Sequence, residues 1–326
     1  MRARPLVIAI LLAACGDNTP TIELDDLYAE TLRARCERLV RCGVAASAEG
    51  CAGYFRTPDE DNLHAAIEAG RISYDPASAI ACLAALAALP CDETSREARA
   101  PIEACERMLR GTVRVGGVCG FDRECDSGSC DAPLCPADTC CSGACVATRT
   151  AAAGDPCTAD EQCARDAFCG GQGTCTPLAA RSQPCRIDAH CEPGLACVGA
   201  TDLQDGACRA LGLLGESCPY RRCAELGAVC DAALRCVPAG LPGAPCTADT
   251  DCSPLALCGP GNVCIDVPRL GEPCGFSCGG EAWCRQGTCV APLENTAPCT
   301  ADNQCASLYC EEGVAFDQCT DRPICF

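Results

Sequence analysis

The stretch CTADEQCARDAFCGGQGTC, residues 157–175, decides the fold. Its cysteines, Cys157, Cys163, Cys169 and Cys175, stand five residues apart, and the same spacing returns at Cys246, Cys252, Cys258 and Cys264. The opening seven residues recur as CTADTDC at 246–252 and CTADNQC at 299–305. Self-similarity at a period of 25 to 38 residues marks a repeat architecture. Outward from this stretch, units also open at Cys119 (followed by Cys125), at Cys185 (followed by Cys191, Cys197 and Cys208), at Cys218 and at Cys274. Residues 113–326 thus divide into seven units, starting near 116, 154, 182, 215, 243, 271 and 296.

The chain has 326 residues, with 39 cysteines, 31 glycines and only 12 aromatic residues. Units this small cannot offset chain entropy by apolar burial alone, and disulfides make up the difference by restricting the unfolded chain. The predicted fold is a small disulfide-rich repeat array with little regular secondary structure and short β-hairpins, preceded by a small all-α disulfide-stapled domain. Parity adds a constraint. The first unit has seven cysteines and the last five, so bridges confined within units cannot pair them all: either staggered bridges join neighbouring units, the arrangement expected, or a single bridge joins the first unit to the last.

Glycine stands three residues before the opening cysteine in five units (Gly116, Gly154, Gly215, Gly243, Gly271), which marks tight turns between units. Asp122, Asp160, Asp188, Asp249 and Asp302 each follow an opening cysteine by three residues. The two units without this Asp have a shortened first loop, so the Asp is read as a cap on its own turn. Calcium needs six to eight oxygen ligands, which one or two carboxylates per unit cannot supply.

The Gly-x-Pro-Cys opening, the Cys-x5-Cys with its central Asp and the short spacings that follow resemble the Dickkopf N-terminal cysteine-rich repeats. Tandem copies of this pattern occur in predicted lipoproteins of myxobacteria, and AGRISYDPASAIACLAAL, residues 69–86, is similar to the helical region such proteins carry. The resemblance implies a fold type. The receptor binding of the animal proteins is not carried over.

Residues 23–112 read as the helical domain. Leu24, Leu27, Tyr28, Leu32, Leu39 and Val40 recur every three or four residues up to a stop at Gly43. A second helix around Leu63, Ala66 and Ile67 closes at Gly70, a third starts at Asp75-Pro76 and stops at Pro90, and a last runs from about Glu97 to Arg110. Cys36, Cys42, Cys51, Cys82, Cys91 and Cys105 are expected to form three bridges there, and the pairing stays open among fifteen possibilities.

Arg2 and Arg4 followed by the apolar run Pro5–Ala14 read as an export signal, too short to span a bilayer. It ends in Leu12-Ala13-Ala14-Cys15, the pattern of a bacterial lipobox. Residues 1–14 are therefore expected to be cleaved, Cys15 to be lipidated, and residues 15–22 to serve as a tether. The expected location is the bacterial cell envelope, with the membrane engaged through the lipid.

The formal charge of −19 argues against nucleic acid as a partner. With 39 cysteines and no Cys-x-x-Cys, neither a zinc site nor a thioredoxin-like redox centre is expected. Only His64 and His190 are available for acid–base work, and both read as residues without a task. No cofactor, metal or catalytic residue is expected. The function expected is non-enzymatic: surface binding of a protein or polysaccharide ligand, adhesion, or a stalk. A protease-inhibitor-like or receptor-ligand-like knot is the alternative, and an enzyme with its site in the helical domain is a weaker one.

Overall fold

A computed structural model describes residues 21–55, 61–131, 142–147, 151–157, 160–164, 166–201, 203–275, 278–280, 282–294, 296–301, 304–305, 310–311 and 318–319. Cys15, Asp302 and four further cysteines, Cys135, Cys140, Cys141 and Cys325, lie outside these residues.

The helical domain is built on α1, Leu27–Arg41, whose buried face presents Leu27, Ala34, Cys36 and Leu39. Gly43, at φ 72°, turns the chain in a conformation that a Cβ disfavours. The short α2, Ala48–Ala52, is capped by Ser47, whose hydroxyl accepts from the Gly50 N–H at 3.0 Å. After α3, Asp61–Glu68, and a short strand β1, Ile72–Tyr74, the helix α4 spans Pro76–Ala88. The Asp75 carboxylate accepts from the Ala77 N–H at 3.0 Å and the Ser78 hydroxyl at 2.6 Å, and Pro76 occupies the first turn, where its missing N–H costs nothing. At the far end of α4, Arg38 and Arg41 from α1 donate to the carbonyls of Pro90 and Ala87 at 2.8 and 2.9 Å.

The expected last helix is broken. Pro101 has no N–H to donate and holds Ala100 extended, so the segment splits into α5, Arg96–Arg99, and α6, Glu103–Met108. Leu109–Gly111 then forms β2, antiparallel to β1 with Ile72 opposite Gly111. Three bridges staple the helices: Cys36–Cys51, Cys42–Cys91 and Cys82–Cys105.

Among the described residues, each unit of the array holds a pair of crossed bridges on a hairpin. In the second unit the hairpin Ala167–Cys169 with Cys175–Pro177 sets Cys169 opposite Cys175, but each bonds back to the loop before it, in Cys157–Cys169 and Cys163–Cys175. The third to sixth units repeat this first-to-third, second-to-fourth pattern, among them Cys185–Cys197 with Cys191–Cys208 and Cys246–Cys258 with Cys252–Cys264. The first unit has Cys119–Cys130 and Cys125–Cys145, and the last Cys299–Cys310 and Cys305–Cys319. The first and third units add a third strand to the hairpin. Among the described residues no bridge leaves its unit, which corrects the staggered arrangement: every cysteine of the five middle units has its partner at home. The alternative, a bridge from the first unit to the last, falls on cysteines outside the described residues.

The residue three before each opening cysteine is left-handed in all seven units. It is Gly116, Gly154, Gly215, Gly243 or Gly271 in five, and Ser182 and Thr296 take φ 72° and 73° in the others. In every unit its N–H donates to the carbonyl of the fourth hairpin cysteine, from Gly116 to Cys145 at 2.7 Å through Thr296 to Cys319 at 2.7 Å. The glycine therefore closes its own unit as well as marking the joint.

Candidate functional site

The four described loop aspartates share one geometry. Each opens a short 3-10 turn and accepts, through one carboxylate oxygen, the N–H of the unit's third cysteine: Asp122 from Cys130, Asp160 from Cys169, Asp188 from Cys197 and Asp249 from Cys258, at 2.7 to 2.9 Å. The cap thus reaches eight or nine residues along the chain, tying the loop to the hairpin. A local turn cap would have bonded two or three residues on.

A second loop position carries as much structure and escaped the sequence reading. The residue just before the second cysteine turns back to the residue after the first. Glu124 accepts from the Gly120 N–H at 2.6 Å, His190 from Arg186 at 3.4 Å, Asp251 from Thr247 at 2.7 Å and Gln304 from Thr300 at 2.9 Å. The signal was present in the type of residue: Glu, His, Asp and Gln can all accept a hydrogen bond.

From this position the units also reach one another. His190 is buried, stacks on Phe168 of the preceding unit at 4.1 Å and lies 3.0 Å from the second carboxylate oxygen of Asp160. Its Nδ1 is engaged by the Arg186 N–H, so its Nε2 is the donor to Asp160. The expectation that His190 has no task is corrected: it joins two units. Arg222, again just before a second cysteine, does the same one joint later, donating to Asp188 at 2.8 Å and to the Cys197 carbonyl at 2.8 Å. Burial pushes the Asp188 carboxyl up, but Arg222, the Cys197 N–H and nearby Arg99 more than reverse this and hold it below its ordinary value.

The array curls back onto the helical domain. Arg71, between α3 and β1, grips the fully buried Glu124 of the first unit with 2.7 and 3.0 Å contacts. Arg99 donates to the carbonyls of Asp188, Cys191 and Leu195 in the third unit at 3.1, 2.9 and 2.6 Å. Backbone pairs join Leu226 of the fourth unit to Cys91 at 2.8 Å and Gly280 of the sixth to Tyr54 at 2.9 Å, while Leu255 of the fifth packs on the core of α1 and α2. Gly227 is where this approach is tightest. A Cβ there would lie 2.2 Å from the Cys42 carbonyl oxygen. Replacing Arg99 by Ala is expected to cost about 2 kcal/mol, since three carbonyls lose a charged donor. Hydrogen exchange should then quicken over residues 188–195 and stay unchanged in the fifth unit.

Where the fifth unit meets α2 it leaves a cleft of about 210 Å³. Val44, Ala45 and Leu255 form its apolar wall, and Ser47, Glu49, Ser253, Asp266 and Arg269 supply polar groups. Ser253 is 2% exposed, and its hydroxyl has no partner among the described residues.

Within single units, three cysteine sulfurs lie within 4.8 Å of one another, as for Cys157, Cys163 and Cys175. All belong to bridges, and a disulfide sulfur lacks the thiolate character that a metal requires. His64 lies 3.7 Å from Asp25, apart from the cleft and from His190. Among the described residues no helix is long and apolar enough to cross a membrane.

A family model described as the Dickkopf N-terminal cysteine-rich region matches residues 156–201. The matched segment holds all four cysteines of the second unit and the first three of the third, together with the His190 to Asp160 contact. No curated protein and no solved structure matches the chain.

Proposed function

We propose that this protein is a lipid-anchored, extracytoplasmic, non-enzymatic binding protein. The observation that carries the reading is the seventeen bridges among the described residues, which take up every described cysteine. Such a framework forms and persists in an oxidising compartment. The basic, apolar start and the Leu12–Cys15 motif supply the route there and the anchor. Contacts of five units with the helical domain favour presentation of a folded surface over a free stalk, and support binding above spacing. The ligand is a small molecule, protein or polysaccharide met at the cell envelope.

Cys15→Ala tests the anchor. Acyl chains on one residue would supply most of the membrane affinity. The wild type is expected in the detergent phase on phase partitioning and the variant in the aqueous phase. A variant that stays with detergent refutes the lipid anchor.

A further inference from the structure

The cleft between α2 and the fifth unit has a composition that selects one kind of ligand. Its guanidinium, Arg269, lies against the backbone of α2, close enough that a Cβ on Gly53 would meet its Cζ at 3.3 Å. Arg269 at this position has no side-chain hydrogen bond or ion pair among the described residues, and neither have the carboxylates of Glu49 and Asp266. Ser253 adds a buried hydroxyl that is likewise unpartnered, a group whose desolvation a ligand can repay with a hydrogen bond.

Among the described residues, one cation, two anions, two serine hydroxyls and an aliphatic wall narrow the choice. A phosphate or a dicarboxylate would meet two carboxylates of its own sign. Among the described residues no aromatic ring lines the cleft for a sugar to stack on. The volume of about 210 Å³ falls below the 300–1,000 Å³ or so of drug-sized pockets. A single planar guanidinium is matched to one carboxylate, in paired hydrogen bonds. We propose that the cleft binds a free α-amino acid with a short aliphatic side chain. The ligand carboxylate lies on Arg269, its ammonium on Glu49 and Asp266, and its side chain on Val44, Ala45 and Leu255. This deepens the binding role proposed above by giving it a site and a ligand class.

Calorimetric titration of the full-length, oxidised protein in detergent micelles tests it. L-valine is the probe, with isobutylamine and 3-methylbutanoate as analogues that each lack one of its charges. Valine is expected to bind saturably, each analogue at least tenfold more weakly, and Arg269→Gln should weaken valine at least tenfold while near-ultraviolet circular dichroism stays that of the wild type. The proposal is overturned if valine, alanine and leucine all give no saturable heat, if either analogue binds as well as valine, or if Arg269→Gln leaves valine binding unchanged. Because Arg269 is remote from Cys15 in sequence, the variant should still partition with detergent. Partitioning without binding would remove the ligand and keep the anchor; binding by an unanchored protein would do the reverse.

Discussion

Arg71→Met is expected to open the first unit from the helical domain, with a loss of about 3 kcal/mol, the lower end of what breaking a buried ion pair costs. The reason lies in what stays behind. Glu124 is completely buried, and in the variant its carboxylate would keep the Gly120 N–H and lose the one cation that pairs with it among the described residues. The lower end applies because the Arg71 side chain is 23% exposed and the pair is partly solvated. In the wild type, burial pushes the Glu124 carboxyl up, and the Arg71 hydrogen bonds, the Gly120 N–H and the Arg71 charge outweigh it, so the group ends below its ordinary value of 4.5. A depressed carboxyl stabilises the fold fully above its unfolded value, and that contribution drains away as pH falls through the folded one. The variant should behave oppositely, since a buried carboxylate without a cation is relieved by protonation. The gap between the two proteins is therefore widest near neutral pH and closes in acid. Hydrogen exchange over residues 109–126 reads it directly, as roughly a hundredfold acceleration near pH 7 for 3 kcal/mol. Glu124→Gln, which removes the charge and keeps the shape, should cost less than Arg71→Met. If Glu124→Gln costs more, the ionic account is wrong.

Local chemistry was legible in the sequence and long-range contact was not, for physical reasons visible at single residues. Gly43, Gly70 and Asp75-Pro76 act within a few residues of themselves, so their types announce the helix ends that the structure shows. The cysteine spacings announce the hairpins for the same reason. Pro101 was equally local and was overridden by the helical spacing around it. The curl of the array depends on groups that carry no signature. Leu226 meets Cys91 through backbone atoms that every residue has, and Gly227 resembles any turn glycine until the Cys42 carbonyl is seen beside it. Arg71, Arg99 and Arg222 were ordinary arginines in a chain without lysine, and their partners lie 25 to 96 residues away. The cleft has the same origin: Arg269 and Asp266 come from one end of the chain and Glu49 from the other, and only the fold brings them together.

The largest single loss is expected on replacing both Cys42 and Cys91 by Ala. Their bridge spans 49 residues, and the chain-entropy estimate for a loop of that size is about 4 kcal/mol, against about 3 kcal/mol for a 12-residue span such as Cys246–Cys258. Position makes the difference larger in its consequences. The Cys91 carbonyl accepts the Leu226 N–H, and Gly227 lies directly on the Cys42 carbonyl, so this bridge underlies the place where the fourth unit rests on the helices. Val44 and Ala45, the apolar wall of the cleft, follow two and three residues after Cys42. Removing the bridge should therefore loosen the end of α1, free the fourth unit and abolish valine binding together. Removing Cys246–Cys258 should disturb the fifth hairpin and leave residues 224–228 protected. Hydrogen exchange of the two double variants, compared at residues 36–46 and 224–228, separates these outcomes. Should residues 224–228 stay as protected without Cys42–Cys91 as with it, the fourth unit is held by its own frame, and the helical domain is not the hub on which the array closes.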